Sequence, residues 1–145
     1  MYSVDNNPES QTLKGHKSSV HDEGEQTMEK VNIAQKLSLV HEYWSPRIAG
    51  ELNDTYVKLA KLKGEYAWHQ HEAEDQLFLV VRGNLVIKLR DRDILLEEGE
   101  FMIIPKGVEH LPVAKEEVQL LLLDPKSLVN TGNVRNERTV EDQWI

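Results

Sequence analysis

Two histidines of the chain have the spacing of metal ligands, and a third histidine follows later. His69 and His71 are one residue apart in a stretch predicted to be extended, so their side chains should point to the same side. His110 follows later, after the turn signal Pro105-Lys106-Gly107. Three neutral imidazoles suit Mn, Fe, Co, Ni, Cu or Zn better than Mg or Ca. The pattern therefore predicts one divalent transition metal, whose identity the sequence does not decide.

A metal held by three imidazoles would keep coordination positions open for water and for an oxygen-donor ligand. Such a metal can act as a Lewis acid, can generate hydroxide, or can bind dioxygen if it is iron. A small-molecule ligand or substrate is therefore the expected partner of this site.

Two stretches of the chain, from Gly64 to Gly83 and from Gly99 to His110, carry the three histidines. The second stretch reads Gly, five residues, Pro-x-Gly, two residues and His, and at each of these positions it resembles the second cupin motif. The first stretch resembles the first cupin motif, which contains His-x-His and a later glycine. The resemblance is to small single-domain cupins of the cupin-2 type, which are often likened to phosphomannose isomerase. It implies an all-β double-stranded β-helix, or jelly-roll barrel, with the three histidines as metal ligands.

One position of the first motif departs from the family pattern. Gln76 stands where cupins usually have a glutamate ligand, and Asp75 fits the shorter of the two spacings from His71. We expect Gln76 to be the fourth ligand, or a near-ligand, through its amide oxygen, and Asp75 to point the other way. A neutral amide would leave the site more positive than a carboxylate, with weaker metal retention and no ready general base. The alternative is a degenerate site with structural histidines.

Strand alternation also predicts which neighbours face the metal. Phe78 shares the parity of Gln76 and Pro112 shares that of His110, so we expect both to line the pocket. Trp68 has the opposite parity to His69 and should face away. These assignments hold only for unbroken strands.

The elements that must position these residues are short strands. From Tyr56 onward, short apolar runs alternate with turn residues such as Gly83-Asn84 and Glu98-Gly99, which is typical of a sandwich or barrel. The predicted strands lie near 55–63, 65–71, 76–82, 84–90, 93–97, 100–104, 109–114 and 117–123.

The ends of the chain look different from this β-rich region. Residues 1–27 are predicted to be a flexible polar tail, in which His16 and His21 are solvated rather than metal-bound. A helix capped by Thr27 is predicted over 28–42. The resulting organisation is a single cupin domain over 28–145, comprising a helical arm at 28–44, a barrel at about 46–125 and a C-terminal tail at 126–145.

Composition excludes several function classes. The net charge of −8 argues against nucleic acid as a partner, and the absence of cysteine excludes disulfides and thiolate chemistry. No leader and no apolar run of membrane-spanning length is present, so a cytoplasmic location without membrane contact is expected. Lys58 and Lys106 are interpreted as isolated surface charges. A homodimer is expected, because the apolar segment 28–44 needs a surface to cover.

Three functions remain open at this stage. The first is a small metalloenzyme acting on an oxygen-rich small molecule, either sugar isomerase-like or dioxygenase-like. The second is a non-catalytic ligand-binding or sensing cupin, and the third is a structural barrel with a degenerate metal site. No catalytic residue is assigned.

Overall fold

The computed structural model describes residues 28–145. The larger of the chain's two compact units, Asn32–Ile145, contains every helix and strand described below. In chain order these elements are α1 (Ile33–Leu37), β1 (Arg47–Leu52), β2 (Thr55–Glu65), β3 (Gln76–Arg82), β4 (Leu85–Lys88), β5 (Asp93–Leu96), β6 (Phe101–Ile104) and β7 (Leu111–Pro125).

Strand β7 connects the two parts of the sheet. It pairs with β2 along most of its length, while its first residues also pair with β4 and its later residues also pair with β3. The strand order is β1-β2-β7-β3-β6, with β4 on β7 and β5 on β4, and every pairing is antiparallel. This antiparallel, mostly β architecture is the fold class that the sequence predicts.

The core lies on the inner face of the sheet, where alternate side chains of the strands are buried. In β3 the side chains of Gln76, Phe78 and Val80 are buried, whereas Leu77 and Leu79 between them are only partly buried. Every strand from β2 to β7 contributes to this cluster, so each strand has one face fixed by burial. Its members are Ala60, Leu62, Phe78, Val80, Leu85, Ile87, Leu96, Ile104, Ala114, Val118, Leu120 and Leu122.

The predicted helix over 28–42 is wrong in its extent. Only Ile33–Leu37 is helical, because the side chain of Asn32 accepts a hydrogen bond from the backbone N–H of Gln35 and caps the helix there. The predicted cap, Thr27, lies outside the described residues, as does the predicted tail over 1–27. Leu37 is buried within the unit, and so is Val40 after the helix.

Three strand predictions also need correction. Strand β1 is absent from the predicted strands, because Gly50 and the turn at Asn53 obscure it. The predicted strand over 65–71 does not form: β2 ends at Glu65, and beyond it there is a single isolated bridge. The strands predicted over 109–114 and 117–123 are one strand, β7, whose register against β2 shifts opposite Leu62 and Gly64.

The C-terminal segment is packed against the barrel although it has little regular structure. The backbone N–H of Ile48 donates to the carbonyl of Gln143, and the N–H of Ile145 donates to the carbonyl of Ile48. Trp144 forms a bridge with Ile48 and meets the ring of Tyr56 edge to face at 6.1 Å. Over the described residues, no helix has the length and hydropathy needed to cross a membrane.

Candidate functional site

The three histidines predicted as ligands lie together inside the barrel. One ring nitrogen from each of His69, His71 and His110 lies within 4.8 Å of the other two. The ring centroids are 4.2 Å apart for His69 and His110, and 5.1 Å apart for His69 and His71. All three residues are buried.

A short backbone bridge holds two of these histidines side by side. The N–H of His69 donates to the carbonyl of His110 at 3.1 Å, and the N–H of His110 donates to the carbonyl of His69 at 2.9 Å. This reciprocal pair brings the two motifs together although neither residue belongs to a strand. The two-residue alternation of His69 and His71 therefore rests on locally extended backbone rather than on a complete strand.

Backbone carbonyls fix the tautomers of two of the rings. His69 Nδ1 lies 2.8 Å from the carbonyl oxygen of Ala67, and His110 Nδ1 lies 2.9 Å from that of Val108. Since a carbonyl oxygen can only accept, Nδ1 is the protonated nitrogen in both rings and Nε2 keeps its lone pair. Such a bond to Nδ1 is the support that metal-ligating histidines commonly have.

Burial keeps the three imidazoles neutral. Desolvation lowers the pKa of His71 from 6.5 to about 3, assisted by the charges that His69 and His110 would carry and opposed by a polar contact with Gln76. Desolvation likewise lowers the pKa of His110 to about 4, and lowers that of His69. Neutral imidazole is the form that binds a metal ion, so all three rings are ready to coordinate at neutral pH.

Gln76 and Asp75, the two candidates for the fourth metal ligand, have different surroundings in the structure. Gln76 is buried, and its Nε2 donates to Asp124 Oδ1 at 2.9 Å. Its Oε1 has no hydrogen-bond partner among the described residues. Asp75 is exposed, and its carboxylate accepts a hydrogen bond from the backbone N–H of Lys106.

Sequence reasoning missed a buried ion pair beside Gln76. Lys58 Nζ lies 3.2 Å from Asp124 Oδ2, and the two side chains are each 2% exposed. The interpretation of Lys58 as a surface charge is therefore wrong. Strand alternation could have found the pair, because Lys58 is in phase with the buried Ala60 and Leu62.

Asp124 also follows the alternation, since it is in phase with the buried residues Leu120 and Leu122 of β7. Burial raises the pKa of its carboxyl, whereas the charge of Lys58 and the Gln76 amide act in the opposite direction. Lys58 has a second partner in Asp142, at 2.7 Å, which ties the C-terminal segment to the same cluster.

A cavity of about 40 Å³ adjoins the site. Both predicted pocket residues, Phe78 and Pro112, line it together with His69 and Gln76. Most of its other walls are apolar, and no lysine or arginine is among its lining residues. The remaining lining residues are Trp44, Pro46, Ala60, Leu62, Tyr66, Leu120, Leu122, Asp124 and Asn130.

Tyr66 supplies a neutral hydroxyl to this cavity. Asn130 Nδ2 donates to its oxygen at 2.9 Å, and Trp44 stacks on its ring with 4.6 Å between centroids. Burial raises the pKa of Tyr66 to about 12, with Arg138 and Asn130 opposing the shift. The phenol therefore remains protonated and can act as a hydrogen-bond donor.

The segment Asn130–Asn133 packs against the first histidine motif. The N–H of Asn133 donates to the carbonyl of Gln70 at 3.0 Å, and the Gln70 N–H donates to Asn133 Oδ1 at 3.0 Å. Gly132, with φ +60°, is so close that a Cβ there would lie 2.1 Å from the Gln70 oxygen. Only glycine permits this approach.

Comparison with known proteins agrees with this fold. The model of the cupin domain family matches residues 56–125. An uncharacterized protein of Bacillus subtilis, YdbB, is 43% identical over 79 residues, which cover 54% of this chain and 67% of that protein. The chain belongs to the cupin family. The cupin match spans β2 to β7 and includes all three histidines.

Solved structures of other proteins are similar to this one. A cupin-2 domain protein of Shewanella frigidimarina is 46% identical with a TM-score of 0.65, over 66% of this chain and 93% of that one. A protein of Neisseria meningitidis is 32% identical with a TM-score of 0.62, over 67% of this chain and 99% of that one. The expected small cupin and its all-β fold are therefore confirmed.

Proposed function

We propose that this cupin binds one divalent transition metal through His69, His71, His110 and Gln76. The observation that carries the proposal is a set of three buried polar atoms without a hydrogen-bond partner in the described part of the chain: His71 Nε2, His110 Nε2 and Gln76 Oε1. A buried unsatisfied polar atom costs about 1–3 kcal/mol, so three of them in one place call for a ligand that accepts their lone pairs.

The donor set supports the class of metal. Three neutral nitrogens and one amide oxygen form a borderline set that suits Mn, Fe, Co, Ni, Cu or Zn. When bound, the metal would supply Lewis-acid chemistry at an open coordination position. The neutral amide of Gln76 adds no negative charge, which leaves the bound ion more electrophilic than it would be beside a carboxylate.

The walls of the cavity support a compact ligand with a largely apolar body and one or two donor oxygens. Phe78, Pro112 and Leu120 would contact its apolar part, and the Tyr66 hydroxyl would donate to an oxygen. A sugar phosphate fits poorly, because the lining has no basic side chain to bind a phosphate. A diketone-like compound, the dioxygenase-like option, fits better.

Sugar isomerisation is further disfavoured because it needs a free base at the substrate. The carboxylate that lines the cavity, Asp124, is already engaged by Lys58 and Gln76. The same observation favours a second candidate function, in which the cupin binds a small ligand at its metal without converting it.

The test starts from metal-free protein without a histidine tag, titrated with Co²⁺ and then with pentane-2,4-dione. We expect visible absorption bands of protein-bound Co²⁺ that change on addition of the dione but not of mannose 6-phosphate. A Tyr66→Phe variant should bind Co²⁺ normally and bind the dione more weakly, by about fivefold, the effect of one lost hydrogen bond. Identical responses to the dione and the sugar phosphate would contradict the ligand class.

Catalysis is tested by oxygen consumption of Fe²⁺-loaded protein with the dione. Consumption that depends on His110 supports the dioxygenase-like function. Binding of the dione without oxygen consumption supports the non-catalytic binding cupin.

A further inference from the structure

The buried ion pair of Lys58 and Asp124 constrains the chemistry of position 76. Lys58 Nζ lies 3.2 Å from Asp124 Oδ2 in a salt bridge, and Gln76 Nε2 donates a hydrogen bond to Asp124 Oδ1 at 2.9 Å. Both carboxylate oxygens therefore face donors, which is the arrangement of an ionised carboxylate. Asp124 is 1% exposed, so water has little access to its carboxylate as a hydrogen-bond donor.

An amide satisfies this environment and a carboxylate does not. Gln76 presents its N–H to Asp124 and keeps a second polar atom, Oε1, which is buried and has no partner within the described residues. A glutamate at this position would bring a second buried carboxylate against Asp124. Two adjacent buried carboxylates cannot both stay ionised without a large energetic cost.

The amide is also oriented by this contact. Because Asp124 accepts from Nε2, the amide cannot flip without placing its oxygen against the carboxylate. Gln76 and His69 line the same cavity, so the Gln76 side chain faces the space beside the histidines. Three strands meet in this arrangement, with Lys58 on β2, Gln76 on β3 and Asp124 on β7.

We infer that Asp124, held by Lys58, is a positioning residue that requires an amide at position 76 and turns Gln76 Oε1 towards the histidines. This explains in physical terms why glutamine stands where the cupin pattern has glutamate. The inference rests on the proposed metal site for the role of Oε1, whereas the requirement for an amide does not depend on any metal.

The experiment compares the wild type with Gln76→Glu, Asp124→Asn and the double variant. The double variant moves the carboxylate from one residue to the other and leaves the net charge unchanged. In metal-free protein, Gln76→Glu should lower the melting temperature by about 5 °C or more, because it buries two carboxylates together. In the Asp124→Asn background the same substitution should restore stability, since the introduced asparagine amide can donate to the introduced glutamate carboxylate.

Zinc affinity, measured by calorimetry, provides the readout that a purely structural role would not change. The double variant should bind Zn²⁺ about tenfold more tightly than the wild type, because its carboxylate is held towards the histidines. Gln35→Glu, at an exposed position on α1, is the control and should change the melting temperature equally in both backgrounds.

Two results would overturn the inference. One is an equal loss of stability from Gln76→Glu in the wild-type and Asp124→Asn backgrounds, since the two positions would then be uncoupled. The other is a double variant that regains stability but binds Zn²⁺ no better than the wild type, since Oε1 would then not face the histidines. A wild type that binds no Zn²⁺ would instead refute the proposed function, while the melting temperatures would still decide whether Asp124 requires an amide.

Discussion

At the scale of single residues, the site depends on imidazoles that remain neutral in the absence of metal. Strand alternation predicted that His69 and His71 lie on one side, and the resemblance to the second cupin motif predicted that His110 joins them. The sequence could not predict their neutrality or tautomers, which depend on burial and on the carbonyls of Ala67 and Val108. Gln76 was predicted from spacing, but its contact with Asp124 was not. Alternation indicates that Asp124 is buried, but it does not indicate which side chain 48 residues away it contacts.

The neutral histidines predict how stability depends on pH. In the unfolded chain each imidazole binds a proton near pH 6.5, but in the fold the pKa is about 3 for His71 and about 4 for His110. Between these values the unfolded state binds more protons than the folded state. The neutral histidines should therefore make their full contribution to the free energy of unfolding of metal-free protein above pH 6.5. This free energy should fall as the pH is lowered towards 4.

Urea denaturation across this range measures the effect. His110→Asn should have a shallower pH dependence than the wild type because it removes one titrating group, and the exposed His41→Asn should match the wild type. Equal slopes for wild type and His110→Asn would show that the histidine is not held neutral by the fold.

At the scale of elements, most strands from β3 to β6 were predicted because each has a buried alternating face bounded by turn residues. The errors in the predicted strands lie where long-range contacts determine where a strand begins or ends. The segment after Glu65 is no longer part of β2 yet still forms an isolated bridge between His69 and His110. Strand β7 continues through its exposed residues 115–117 because β2 pairs with it on both sides of the register shift there. Neither feature has a local signal in the sequence.

The loop at Gly132 gives a prediction at this scale. Gly132→Ala should destabilise the protein by about 3 kcal/mol, because the added methyl group would overlap the Gln70 oxygen and would also disfavour φ +60°. Gly99→Ala is the matched control, since Gly99 has φ +79° but no atom within 4 Å of the added carbon. It should cost only about 1 kcal/mol.

Metal affinity should separate the two glycine variants further. Gly132→Ala should weaken metal binding because it displaces the backbone beside His69, whereas Gly99→Ala should not. If both variants lose the same stability and bind metal equally well, the Asn130–Asn133 segment does not support the site.

At the scale of the molecule, the outer face of the sheet is unusually apolar. Leu77 is opposite Ile103 and Leu123, and Leu79 is opposite Phe101 and Leu121. Phe101 and Ile103 are 61% and 54% exposed. The apolar segment 28–44 gives less support for a dimer than its sequence suggests. Its Leu37 and Val40 are buried within their own chain and need no partner to cover them.

We propose instead that this outer face pairs with the same face of a second copy. Phe101 and Ile103 lie exposed on β6, and an apolar face that packs against its own copy about a twofold axis is complementary to itself. Light scattering of the full chain should give the mass of a dimer, and Phe101→Glu should give a monomer. Leu52→Glu, at an equally exposed position on β1, should remain dimeric. A wild type that stays monomeric at all concentrations would contradict this assembly.

The central claim is that the three buried histidines hold one metal ion. Elemental analysis of protein purified without a histidine tag tests it most directly. We predict close to one transition-metal ion per chain in the wild type and in the exposed-site control His41→Ala, and loss of that metal in His69→Ala, His71→Ala and His110→Ala. The same metal content in all five proteins would contradict the account.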